Sequence, residues 1–252
     1  LSSSTPPRQL RRAPLAATEE PDLSGRRALR EGLWAAGFLL LLLGLLKPLA
    51  ASFPGTFTVG GVSMGLPDLV FTVAVGFQLY FPLERVGHRG VSYDSLGLRR
   101  SDLWGEARAF AGVSLATGLL YGVGFHFWMS ASGRSFDFSW PDRFLERLAV
   151  EVLVIALAEE MFFRGYLQER LSQGMPPQRK FWGISLGWAW ILTSAIFALA
   201  HFIGEYRPTR LGPFFPGLVF GALRARAHHL WAAVLYHAFC NLLADVLGAS
   251  YH

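Results

Sequence analysis

The stretch LAVEVLVIALAEEMFFRGYL, residues 148–167, is long and apolar enough to cross a membrane, yet it carries two adjacent glutamates near its middle. An ionised side chain at the centre of a membrane helix costs roughly 2.5–3.5 kcal/mol on insertion scales. Glu159 and Glu160 therefore need a positive partner, a shared proton, a water-filled cavity or a catalytic role. Arg164 follows Glu160 by one helical turn and is the nearest candidate partner.

The composition of the whole chain also indicates a membrane protein. The chain has 252 residues, of which 52% are hydrophobic and 16% are charged, and its mean hydropathy is +0.33. These values disfavour a soluble helical protein. The net charge of +5 comes mainly from arginines between the apolar segments, where they report membrane orientation. We see no nucleic-acid-binding motif and expect no nucleic-acid partner.

The apolar segments predict an all-α fold, a polytopic membrane bundle of about seven transmembrane helices. We expect residues 1–31 to be a disordered cytoplasmic tail and residues 32–250 to be one membrane domain, with its core motifs in 148–247. Arginines before the first segment and after the second, fourth and sixth place the N-terminus in the cytoplasm, which would be that of a bacterial inner membrane. The predicted segments are 33–51, 66–83, 107–130, 148–167 with a more polar start from 141, 184–203, 211–223 and 230–247.

Polar residues recur inside the later apolar segments. The string FALAH, 197–201, ends in His201, and HAFCN, 237–241, places His237 and Asn241 on one helix face. Glu159 and Glu160 lie about 100° apart around a helix, so one can face a cavity while the other meets Arg164.

Each polar set alone has a structural explanation: an ion pair, a core histidine or a hydrogen bond between helices. Together, two carboxylates, two histidines and an amide fit a site that activates water. A carboxylate takes a proton from water, a histidine orients the water or passes the proton, and an amide donates to an oxyanion.

Three of these strings resemble the motifs of a known family. EEMFFR resembles the EExxxR motif of the CPBP family (CAAX proteases of type II and bacteriocin-processing enzymes, also called Abi). FALAH resembles the FxxxH motif of that family, in which Phe197 is the first residue, and HAFCN resembles its third motif. The segment SLGLRR, 95–100, resembles a further family segment, and the resemblance covers roughly residues 96–247. Within the family, a myxosortase-like bacterial branch is one possibility.

The resemblance implies a glutamic-type intramembrane endopeptidase, with the lipid bilayer and a membrane-anchored protein or peptide as its partners. By motif position, Glu159 is the general base and Glu160 supports it. Arg164 then pairs with Glu160, and Phe197 is a supporting residue of its motif. The remaining motif residues imply that His201 holds the water or relays its proton, and that His237 and Asn241 stabilise the oxyanion.

Whether a metal takes part is open at the level of sequence. No HExxH arrangement is present, and we expect no cofactor. The alternative is a zinc-dependent protease in which Glu159, His201 and His237 are the ligands.

Two other functions compete with the protease. One is a membrane scaffold or immunity protein of the same fold without enzymatic activity. The other is a proton-coupled carrier that uses the glutamates as a relay.

Overall fold

The computed structural model describes residues 23–53, 55–59, 62–88, 91–98, 102–176, 179–181, 184–203 and 205–252. The part of the chain that it describes is a helical bundle, which confirms the predicted fold class. The first 22 residues of the predicted tail lie outside the described residues. The helices are α1 (Leu23–Ser52), α2 (Leu66–Glu84), α3 (Leu103–Ala131), α4 (144–174), α5 (Trp188–Phe202), α6 (Phe214–Ala227) and α7 (Trp231–Ala249).

Several helix bounds differ from the predicted ones. Helix α1 begins at Leu23, within the range expected for the tail, and continues through Pro48 to Ser52. The fifth segment was expected to be helical from residue 184, but Ile184–Leu186 forms a strand. The helix starts only after Gly187, which has an extended backbone. The sixth helix begins at Phe214, after Pro213 and a short 3₁₀ turn at Pro208–Leu211.

Two short antiparallel hairpins precede helices in the described chain. Strands β1 (Thr56–Val59) and β2 (Val62–Gly65) pair with Thr56 opposite Gly65 and lead into α2. Strands β3 (Arg179–Phe181) and β4 (Ile184–Leu186) pair with Arg179 opposite Leu186 and lead into α5.

The apolar surfaces of the helices fit a lipid environment. Among the described residues, four helices, α1, α2, α3 and α7, are long and apolar enough to cross a membrane, and α5 is a shorter apolar helix. Helix α3 exposes large apolar side chains such as Leu115, Leu120 and Phe127. Contiguous exposed apolar surface is rare on soluble monomers, so we treat the chain as an integral membrane protein.

Helix α4 contains two π-helical turns on either side of the glutamate pair. The π turns cover Glu151–Ala156 and Met161–Leu167, and Leu157–Glu160 between them is α-helical. Every residue of Met161–Leu167 is buried, including Arg164. Isolated π turns inside α-helices are frequent at functional sites because they change which side chains face a cavity.

The loop 91–98 is hydrogen-bonded to α6 and to the residue that precedes α7. The Arg224 guanidinium on α6 donates to the Ser95 carbonyl at 2.7 Å, and the Leu230 N–H donates to the Gly97 carbonyl at 3.1 Å. Gly97 has a φ of +81°, which favours glycine, and a Cβ there would lie 3.1 Å from Arg224 Nε. The loop therefore needs glycine to approach α6 this closely.

Small residues let α6 approach α4 closely. Arg164 on α4 donates to the carbonyl of Gly217 at 3.1 Å, and Gln168 donates to the carbonyl of Gly221, also at 3.1 Å. A Cβ on Gly221 would lie only 2.6 Å from Gln168 Oε1 and from Trp190 Cδ1. The four-residue spacing of the two glycines thus exposes α6 carbonyls to polar side chains of α4.

We expect Gly221→Ala to destabilise the protein by about 1–3 kcal/mol, because the added methyl group overpacks the contact with Gln168 and Trp190. The thermal unfolding midpoint in detergent measures the effect. Gly122→Ala on α3 is the control, since a Cβ there meets nothing within 4 Å. Equal midpoints for both variants would contradict close packing at Gly221.

Candidate active site

The Glu160 carboxylate is completely buried and is held by Arg164. The Arg164 Nη1 atom lies 2.8 Å from Glu160 Oε1, and both side chains are 0% exposed. A buried charge pair of this kind is strongly destabilising if one partner is removed, because the other charge is left without compensation. Glu160 therefore points into the protein interior.

Aromatic rings complete the surroundings of Arg164. Its guanidinium carbon lies 4.3 Å from the ring centroid of Phe197 and 4.9 Å from that of Phe220. Cations over aromatic faces are attracted by the ring quadrupole, most strongly where water is excluded. Phe197, the first residue of FALAH, thus contributes to holding the buried cation.

His237 is the second partner of Glu160. Its Nδ1 lies 2.9 Å from Glu160 Oε1, the oxygen that also binds Arg164. The imidazole is 2% exposed and stacks on Phe220, with ring centroids 4.7 Å apart and planes tilted by 13°. Because the carboxylate is an acceptor, Nδ1 carries the proton and Nε2 is the free nitrogen.

His201 is oriented by the backbone of its own helix. Its Nδ1 lies 2.9 Å from the Phe197 carbonyl oxygen, so this nitrogen donates and Nε2 is again the free atom. The side chain is 28% exposed. The motif spacing of four residues is therefore what fixes the tautomer of this histidine.

Glu159 is the carboxylate on which both imidazoles converge. Its Oε2 lies 3.7 Å from His237 Nε2 and 3.9 Å from His201 Nε2. These separations are too long for direct hydrogen bonds, and Glu159 Oε2 has no hydrogen-bond partner among the described residues. Two imidazole nitrogens thus approach one carboxylate oxygen without bonding to it directly.

Asn241 lies one helical turn beyond His237 but binds a different carboxylate. Its Nδ2 donates to Glu151 Oε2 at 2.8 Å. Glu151 is the first residue of the first π turn, and in the sequence it was only part of a polar helix start. The functional candidate missed there is thus Glu151. Its only signal in the sequence was a third carboxylate inside the apolar segment 148–167.

A cavity of about 350 Å³ opens beside Glu159. Residues of α1 and α2, mostly apolar but including Lys47 and Gln78, line it together with Glu159, Phe163 and His201. Glu205, on the loop after α5, also lines the cavity. Two hydrogen bonds from Arg210 lower the pKa of Glu205, so this carboxylate is ionised at neutral pH.

The structure brings Glu159, Glu160, His201 and His237 into one cluster, with Arg164 and Phe197 beneath it. Asn241 lies beside this cluster, on the same helix as His237. His201 and His237 lie on different helices, α5 and α7, yet both approach the same Glu159 oxygen.

Residues 141–243 match the family model described as Type II CAAX prenyl endopeptidase Rce1-like. This match includes all three motifs and confirms the resemblance to the CPBP family, whose members of this type are CAAX-type endopeptidases. The searches of curated proteins and of solved structures found no match.

Replacing Arg164 by Met is expected to cost about 3–5 kcal/mol of folding stability, because the Glu160 charge is then buried without a cation. Arg147→Met is the matched control. Arg147 pairs with Asp245 at 3.1 Å, but both side chains are well exposed, and such pairs contribute at most about 1 kcal/mol. Chemical unfolding in detergent compares the two variants, and similar losses in both would refute the special role of the buried pair.

Proposed function

We propose that the chain is an intramembrane endopeptidase that hydrolyses a peptide bond in a membrane-associated protein or in its C-terminal segment. The observation that carries this proposal is the convergence of His201 Nε2 and His237 Nε2 on the Glu159 carboxylate at the wall of a cavity. The family match supports the same reaction class.

Glu159 is the general base in the proposed reaction. A water in the cavity that Glu159 and His201 line can donate one hydrogen to the carboxylate and one to the His201 Nε2 atom. As the water oxygen attacks the peptide carbonyl carbon, its proton passes to Glu159. His201 holds the second hydrogen and so orients the water.

The tetrahedral intermediate carries a negative oxygen that His237 and Asn241 stabilise. His237 donates to this oxygen in its doubly protonated form: Nδ1–H stays on Glu160, and the proton on Nε2 comes from bulk water before the attack and is kept through the cycle. Asn241 donates with the Nδ2 hydrogen that Glu151 does not use. When the carbon–nitrogen bond breaks, the proton on Glu159 passes to the leaving amine.

Glu151 acts through Asn241 in this proposal. Its carboxylate accepts one Nδ2 hydrogen of Asn241 and so fixes the rotation of the amide, which leaves the second Nδ2 hydrogen in a defined direction. Preorganised donors of this kind are often the largest single term in catalysis of acyl transfer, and their orientation determines the effect.

The proposed mechanism needs no metal ion. The zinc alternative requires Glu159, His201 and His237 as ligands, and both histidines do have their Nδ1 atoms bound in the way that supports metal ligation. Among the described residues, however, no group of three or more His, Cys, Asp and Glu side chains has an arrangement suited to a metal ion. Chelator and metal addition distinguish the two mechanisms.

Glu159→Gln is expected to lower kcat by about 10²–10⁴-fold, because an amide cannot accept the proton of the attacking water. The assay uses purified wild type and variant in detergent, a quenched library of membrane-tail peptides, and samples with and without chelator. Glu146→Gln is the control, since Glu146 lies on the same helix but is exposed and pairs with Arg143. Full activity of the Glu159 variant would refute the proposed general base.

The same experiment separates the alternatives. Activity lost to chelator and restored by zinc would assign ligand roles to His201 and His237. If the protein is a scaffold without enzymatic activity, its effect in the cell should be the same in the Glu159 variant as in the wild type. A carrier would give pH-dependent flux in vesicles without a peptide product.

Glu151→Leu is expected to lower kcat by about 10-fold or more with little change in KM, since the Asn241 amide loses its fixed orientation. A double-mutant cycle with Asn241→Leu measures whether the two residues act together. In the Asn241→Leu background the further loss should nearly vanish. Independent, additive losses would show that Glu151 does not act through Asn241.

A further inference from the structure

Two polar side chains of α1 and α2, Lys47 and Gln78, line the cavity beside Glu159 and have no role in the mechanism above. Gln78 lies on α2 and is 5% exposed. It belongs to a stripe of buried residues at intervals of four, in which Val70 and Ala74 precede it. Val70 and Ala74 are apolar, and Gln78 brings an amide group into the same buried stripe.

The carbonyl oxygen of Gln78 is buried without a hydrogen-bond partner among the described residues. Leaving a buried acceptor unpaired costs about 1–3 kcal/mol. The side chain nevertheless lines the same cavity as Glu159 and His201. Oε1 itself has less than 1 Å² of accessible surface, so a donor in the cavity reaches it when the amide rotates about its terminal torsion, which is broad for Gln.

The remaining walls of the cavity indicate what this donor belongs to. Leu43, Val70, Ala74 and Phe163 present apolar surface, and Lys47 and Glu205 add one charge of each sign. This lining favours a ligand that is mostly apolar but carries N–H groups. A peptide segment with apolar side chains meets both requirements. Its backbone supplies one N–H per residue, except at proline.

We propose that Gln78 Oε1 accepts a hydrogen bond from a backbone N–H of the substrate, close to the peptide bond that is cleaved. This inference rests on the proposed endopeptidase function and extends it to the substrate class. Inside an α-helix, backbone N–H groups are already bonded to carbonyls four residues earlier. The cavity therefore selects an apolar segment that is extended, or locally unwound, next to the scissile bond.

The assignment places substrate binding partly outside the family match. Gln78 comes from α2, whereas the matched region begins at residue 141. In this arrangement α4, α5 and α7 supply the chemistry, and α1 and α2 supply the substrate-binding wall.

The test combines a protein variant with a change in the substrate backbone. Gln78→Met removes the acceptor and keeps the length of the side chain. A fluorogenic peptide cleaved by the wild type is remade as a series in which one amide N–H at a time is replaced by an ester oxygen. At one position the ester should raise KM about three- to tenfold for the wild type, with kcat little changed.

The Gln78→Met variant should show the same increase in KM with the all-amide peptide, and no further increase with the ester at that position. Its thermal midpoint should equal or exceed that of the wild type, because an unpaired buried amide is removed. Thr72→Val, which changes an exposed position of α2 that does not line the cavity, is the control and should leave KM unchanged.

Two results would overturn the proposal. One is that the increases in KM caused by the ester and by Gln78→Met are additive at every position of the peptide. The other is a loss of stability in Gln78→Met, which would show that the amide is a structural group.

A failure of the proposed function is recognised separately. If no library peptide is cleaved, the ester series is measured as equilibrium binding of the dye-labelled peptides to wild type and Gln78→Met. If the ester weakens binding to the wild type but not to Gln78→Met, the Gln78 contact is supported although no endopeptidase activity is found. Absence of binding by every library peptide overturns both.

Discussion

The buried Glu160 carboxylate is the group on which the arrangement of the site depends. One of its oxygens is shared by the Arg164 guanidinium and the His237 imidazole, at 2.8 and 2.9 Å. Without Arg164 the charge would have no compensation in a region from which water is excluded. Without Glu160 the imidazole of His237 would lose the hydrogen bond that orients its Nε2 atom toward Glu159.

The two adjacent glutamates differ in their surroundings. Glu160 is 0% exposed and structural in its contacts, whereas the Glu159 side chain is 17% exposed and borders the cavity. The backbone of α4 separates them by about 100°, so the two carboxylates occupy different environments although they are neighbours in the chain. One carboxylate anchors the site and the other is available for chemistry.

Much of this arrangement follows from local sequence rules. The pairing of Glu160 with Arg164 is predictable from their spacing of four residues, and the bundle from the apolar segments. The approach of His201 and His237 to Glu159 could not be predicted in this way, because it depends on the tilt and depth of three different helices. The contact between Glu151 and Asn241 spans 90 residues. The early start of α1 reflects packing of a polar segment that composition alone assigns to a tail.

The π turns of α4 make the chemistry depend on the number of residues in the helix. Removing one residue from Glu151–Ala156 would let the turn return to α-helical pitch. Glu151 would then rotate by about 100° and shift by about 1.5 Å relative to Glu159. Substitutions on the lipid-facing side of α4 keep the orientation of Glu151 relative to Glu159, whereas a single-residue deletion in this turn changes it. We therefore expect α4 to tolerate insertions and deletions only at its ends, before Glu151 and after Leu167.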